Sequence, residues 1–251
     1  MTSAFAVLTR SKWFWLLLLL VICIVSWQFT AVRYGLYQLW FEATRDNPII
    51  EEKESVIAVL ADLETLSLSE LPEEYLRLSG SDQPPFRSRL TGRRFYKVPK
   101  GVLPKRVVGT IRFNHLVSRD RWYRRVILGK EEFIPLLIDQ RILFKLIELQ
   151  AALKEEGHDP NAFRLNGGHR NPVHNTKVGG AARSRHIFGD ALDLKIGDIN
   201  QDNTVNEADK AIVLNLLDQQ IIRSEGGIGR YPGTMVIHMD VRGYHARWDS
   251  Y

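Results

Sequence analysis

Two histidines and an aspartate in the second half of the chain, His186, Asp193 and His238, have the types and settings that build a metal centre. His186 precedes a turn at Gly189, and the stretch ALDL at 191–194 reads as a short strand. Alternate side chains of a strand share a face, so Asp193 projects with Ala191 while Leu192 and Leu194 enter the core. The segment VIHMDV at 236–241 repeats the pattern: Ile237, Met239 and Val241 point inward, His238 and Asp240 the other way. Laid side by side, the two strands would bring His186, Asp193 and His238 to one point. Two imidazoles and a carboxylate, with a fourth position open to water, make a catalytic zinc site, whereas structural zinc fills all four positions with protein ligands. Taken singly, each residue also has a plainer reading. A loop histidine is often surface or hydrogen-bonded structure, and an aspartate before a leucine is commonplace.

A second oxygen-rich segment follows at 198–209, DINQDNTVNEAD. Counted from Asp198, oxygen donors fall at positions one (Asp198), three (Asn200), five (Asp202), seven (the Thr204 carbonyl), nine (Asn206, through water) and twelve (Asp209), the rhythm of an EF-hand calcium loop. Asn203 stands where glycine is usual, and asparagine tolerates the left-handed backbone needed there. With the apolar helix at 211–217, the segment resembles the calcium repeats of dockerin modules. A single repeat argues against a dockerin that binds a cohesin partner. The plainer reading is an Asx-rich turn that caps the next helix without metal.

Ordinary elements must carry these groups. Asp139 can cap a helix whose stripe is Ile142, Leu146, Leu149 and Leu153 and whose end is Gly157. Beyond it the sequence becomes irregular, LNGGHRNPVHNTKVGGAARSRH, a composition suited to a functional loop. Residues 84–130 are strongly basic, with Asp120 as the lone acid, and contain β-prone stretches such as RVVGTIRF. Such a region suits contact with an anionic wall polymer or lipid head groups, or forms the solvated surface of a β-rich part. No interleaving of aromatic and basic residues points to nucleic acid. Residues 36–83 read as an acidic, helical juxtamembrane region. Residues 13–32 are uncharged and long enough to span a bilayer as a helix, with Arg10 and Lys12 ahead of them and Trp13, Trp15 and Trp27 suited to the interfaces. The run exceeds a usual signal-peptide core, so an uncleaved anchor is expected, with a cytoplasmic stub and the rest of the chain on the periplasmic or extracellular side. The single cysteine, Cys23, lies within that run, which excludes an intramolecular disulfide and a cysteine-rich metal site.

The string S-x-H-x-x-G-x-A-x-D (Ser184, His186, Gly189, Ala191, Asp193), then G-G-I-G-x-Y-P at 226–232 and H-x-D-V-R-G at 238–243, resembles the zinc D-Ala-D-Ala carboxypeptidase family. That family includes murein endopeptidases and vancomycin-resistance dipeptidases and shares its fold with the hedgehog signalling domain. The likeness covers residues 131–251 and implies zinc held by His186, Asp193 and His238. It implies an α+β fold, an antiparallel sheet with flanking helices. It also implies that Arg170, in G-G-H-R-N-P, holds a substrate carboxylate or carbonyl, with Asn175 as a substrate contact and Ser184 either a substrate contact or a support of the metal ligands. Two departures stand out. His169 occupies a position that is aromatic in many relatives, and Met235 stands where the dipeptidases carry a glutamate base. Asp240 is the nearest alternative base, or else an orienting partner of the metal site. His245 reads as a surface histidine. The expectation is a membrane-anchored zinc peptidase acting on peptidoglycan peptides, with a non-catalytic wall-binding or signalling module as the rival.

Overall fold

The computed structural model describes Trp15 and residues 48–249. The expected anchor at 13–32 therefore lies outside the described residues apart from Trp15. Among the described residues no helix is long and apolar enough to cross a membrane. Residues from Pro48 onward form one compact unit.

Helices of six or more residues are numbered α1 (Pro48–Ala61), α2 (Glu73–Ser79), α3 (Arg121–Ile127), α4 (Gln140–Glu155), α5 (Pro172–Lys177) and α6 (Glu207–Leu216). The strands are β1 (Thr65–Leu66), β2 (Phe95–Pro99), β3 (Arg106–Val108), β4 (Ile111–Arg112), β5 (Phe133–Leu136), β6 (Phe163–Gly167), β7 (Ala191–Ile196), β8 (Gly227–Arg230), β9 (Val236–Asp240) and β10 (Ala246–Asp249). The fold is α+β, as expected. Its main sheet has the order β10-β8-β9-β7-β6 and is antiparallel except at one edge, where β10 runs parallel to β8. A smaller antiparallel sheet has the order β1-β2-β5.

Helix α4 begins where the sequence places it, since the Asp139 carboxylate accepts the Arg141 N–H at 2.9 Å. Its stripe of Ile142, Leu146, Leu149 and Leu153 is fully buried. Truncating any one of these to alanine removes contacts worth about 2–5 kcal/mol.

The basic segment is as helical as it is β, and it shares the main core. Strand β2 pairs with β5, and the Trp122 indole N–H on α3 donates to the Phe133 carbonyl at 2.8 Å. Trp122 packs edge-on against Tyr75 of α2, both rings fully buried. Its arginines remain outside because their heads stay in water while the apolar residues between them pack inward.

Candidate metal centre

The site lies on one transverse row of the main sheet. Asp193 on β7 is directly opposite His238 on β9. The next partners outward are glycines, Gly167 on β6 beyond Asp193 and Gly229 on β8 beyond His238. Small residues are needed there because large groups lean over the row from both sides. A side chain at Gly167 would run into the Arg170 guanidinium and come within 3.1 Å of an Asp193 oxygen. One at Gly229 would meet the Trp248 ring at 2.7 Å. His186 arrives from the short helical turn Arg185–Phe188 that precedes β7.

The three side chains are almost wholly buried, and their ligand atoms lie within 4.8 Å of one another. His186 Nε2 and His238 Nδ1 are 3.2 Å apart, and each is 3.0 Å from Asp193 Oδ1. Their outward nitrogens decide where the protons sit. His186 Nδ1 is 2.7 Å from the Gly168 carbonyl, which can only accept, so that nitrogen carries the hydrogen. His238 Nε2 is 3.0 Å from Asp240 Oδ2, another acceptor. A neutral imidazole has one N–H, so both inward nitrogens present lone pairs beside a carboxylate oxygen. Such a cluster lacks a donor of its own and is satisfied by a cation, either protons or a metal ion. The donor set, two imidazoles and one carboxylate, fits zinc.

The three groups also shift one another's protonation. Burial alone would push the Asp193 carboxyl up, but its hydrogen bonds with His186 and His238 outweigh that and hold it well below the usual carboxylate range. Burial lowers His186 more than Asp193 raises it. His238 is also pressed down by burial, yet Asp193 and Asp240 together lift it above its ordinary value.

Arg170 sits at the rim. Its backbone N–H bonds the His186 carbonyl at 3.2 Å, and its guanidinium pairs with the second oxygen of Asp193. Asp240 is buried behind His238, with Oδ2 bonded to His238 and Arg242, and Oδ1 accepting from the Gly227 N–H at 3.0 Å and from Arg242. Burial would raise its pKa, but His238 and Arg242 hold it far down, so it stays an ionised acceptor. Asp240 thus bonds the outer nitrogen of His238, a position from which a carboxylate can orient a metal-ligating imidazole.

Ser184 is half-buried and precedes the His186 turn without a side-chain capping bond. Asn175 is buried, and its amide donates to the Ala181 carbonyl at 2.9 Å, which ties down the 179–183 loop. Burial pushes the His169 imidazole down to about 3, and its Nδ1 accepts the Leu137 N–H at 3.4 Å. Met235 packs on the core and His245 is exposed.

Two aromatic residues were missed as site residues. The Trp248 ring lies 5.1 Å from the His238 ring, centroid to centroid, and walls that side of the row. Tyr231 directly follows the last residue of β8. Burial and then Asp193 raise its phenol, with Arg170 opposing. The tyrosine of G-G-I-G-x-Y-P was the available signal. Trp248 had none, because its contact with His238 exists only through the parallel pairing of β10 with β8.

In the oxygen-rich loop, Asn203 has φ 66°, the left-handed conformation the turn requires. Asp198 accepts from the Asp202 and Asn203 N–H groups at 3.1 and 2.9 Å, and Asp202 from the Thr204 N–H at 2.8 Å. Asn200 accepts from the Asp202 N–H, and Asn206 caps α6 through the Ala208 N–H. Asp209 is fully buried, and both its oxygens accept backbone N–H groups, from Ile199, Asn200 and Asn206. An Asx-rich turn makes such bonds with or without a metal.

Comparison with curated proteins and with solved structures returned no significant match. Residues 138–240, the segment that carries His186, Asp193 and His238, match the family model described as Peptidase M15, which supports the zinc peptidase family that the motifs resemble.

Proposed function

We propose that this chain is a zinc-dependent peptidase that hydrolyses peptide bonds in bacterial peptidoglycan, as a D-Ala-D-Ala carboxypeptidase or a murein endopeptidase. The observation that carries the reading is the convergence of two imidazole lone pairs and the Asp193 carboxylate, each imidazole fixed from behind by an acceptor. His186, Asp193 and His238 would hold the ion. When bound, zinc supplies the acidity that ionises a water near neutral pH and polarises a carbonyl. Arg170, paired with Asp193 at the rim, offers a planar fork of donors to a substrate carboxylate or to the oxyanion that develops during hydrolysis. Tyr231 and Trp248 flank the same face, and the burial of the row strengthens every charge interaction made there.

The test is to incubate the purified protein with muropeptides, with and without chelator, and to analyse the products by mass spectrometry. Zinc-dependent loss of D-Ala or cleavage of cross-links is expected, and His238→Ala should abolish it. Turnover retained by His238→Ala would sink the ligand assignment. Met235 in the position of the dipeptidase base, and Asp240 committed behind His238, favour one second reading: a metal-containing module that binds wall or signals without turnover. Tight wall binding by a zinc-loaded protein that cleaves nothing would select it.

In the same reading, residues 13–32 anchor the protein in the cytoplasmic membrane, with the peptidase outside. The loop at 198–209 takes calcium, an assignment supported by the spacing of Asp198, Asn200, Asp202, Thr204 and Asp209 and by the left-handed Asn203.

A further inference from the structure

Two neighbouring hollows share Arg119, His174 and Val178 as lining residues and are taken together as one groove. The inner hollow, of about 380 Å³, starts at Gly167 and Arg170, beside the metal row. The outer one, of about 600 Å³, continues past Arg121, Arg124 and Lys177. Its cations come from the basic segment, which lies before the family match, and from α5. Arg119, Arg121, Arg124 and Lys177 are exposed, and among the described residues none of the four is in an ion pair. Arg119 donates to the Asn114 carbonyl at 3.1 Å. The acid on the wall, Asp120, is spent within the protein, accepting the Tyr123 N–H at 2.8 Å and the Asn171 amide. With Arg119, Arg121, Arg124 and Lys177 against the single carboxylate of Asp120, the groove carries a net positive charge, an arrangement that concentrates anions.

We propose that this groove is a binding site for the acidic arm of the substrate: a peptide that carries free carboxylates several bonds away from the group being cut. The occupant is taken to be part of the substrate because the inner end of the groove is built from Arg170, which is bonded to Asp193, and from Gly167, which pairs with it across the sheet. A chain lying there is continuous with whatever sits at the metal. A concave channel suits one extended chain better than the plane of a lipid surface. The inference rests on the peptidase reading for the chemistry at the metal, but not for binding itself.

Two synthetic peptides, identical except that one has free carboxylates and the other has them amidated, test it with the full-length protein. Fluorescence anisotropy on metal-free protein reads binding, and kcat/KM on zinc-loaded protein reads cleavage. The acidic peptide should bind on the order of tenfold tighter, the effect of one charge-assisted contact. Added salt should shrink the difference, and Arg119→Gln combined with Lys177→Gln should bring the ratio close to one. Both positions are exposed, so the double variant should fold. Equal affinities in the unmodified protein, or a preference that survives the double variant, would overturn the proposal. So would a loss in the variant confined to a phosphate-bearing polymer such as poly(glycerol phosphate). If the binding preference holds but zinc-loaded protein cuts neither peptide, the groove stands and the peptidase reading fails. Cleavage without discrimination has the opposite meaning.

Discussion

Asp240 and His169 are both buried polar residues near the metal row, yet they do different work. Asp240 receives the outer N–H of His238 and is itself fixed by Arg242 and the Gly227 N–H. Asp240→Asn keeps the shape but replaces one acceptor oxygen with a donor. Metal affinity should fall about 10–100-fold, read by a zinc competition titration, while kcat at saturating zinc changes far less. Unchanged affinity with kcat lost would assign Asp240 to proton transfer instead. His169 offers a test by pH. Its imidazole is held at about 3 by burial, against an ordinary 6.5, so as pH falls the unfolded chain takes up this proton first. The neutral form's stability is thus complete above pH 6.5 and is lost progressively toward pH 3, at about 1.4 kcal/mol per pH unit for one such group. His169→Phe should flatten the fall in urea-unfolding stability between about pH 6 and 4 by that amount relative to the parent protein.

Among the elements, the turn between β8 and β9 carries Tyr231 and is held from outside the sheet. The Lys210 ammonium on α6 is nearly inaccessible and donates to the carbonyls of Tyr231 at 3.0 Å and Thr234 at 2.6 Å. The next residue back is Asp209, which ties the oxygen-rich loop together, so one turn of α6 links that loop to the lip of the site. Lys210→Met keeps the stem and removes the bonds, leaving two carbonyls without their charged donor. A loss of about 2–3 kcal/mol is expected by urea unfolding. A larger rise in KM than fall in kcat should accompany it, because Tyr231 loses its support but the metal ligands do not.

At the scale of the molecule, the segments before and within the family match share one continuous hydrophobic cluster, from Val56 on α1 to Val241 after β9. Residues 48–249 should therefore unfold in one transition. Zinc bound only by the folded state at a free concentration about 100 times its Kd adds about 2.7 kcal/mol, so melting should shift upward by roughly 5–10 °C. Scanning calorimetry with and without zinc checks this, and no shift would mean that the three ligands do not hold zinc in the folded protein. Calcium added afterwards should raise the transition further. A melting point indifferent to calcium would leave the loop at 198–209 as a capping turn.

Much of the site was legible before any coordinates, and the reason is local periodicity. Alternation on two strands placed Asp193 and His238 on one face, and a capping residue with an apolar stripe placed α4. These follow from backbone geometry that repeats every two residues or every 3.6. What only the tertiary structure decided are relations between distant segments. The parallel return of β10 sets Trp248 against His238, and the pairing of β9 with its neighbours sets Asp240 against the outer nitrogen of His238. The groove joins Arg119 to Lys177 across a stretch of chain that carries no shared pattern. Such contacts are settled by packing around one core, which no window of sequence contains. The amino-acid sequence by itself thus determined which residues can bind a metal, and the fold determined what stands behind them and what lies beside them.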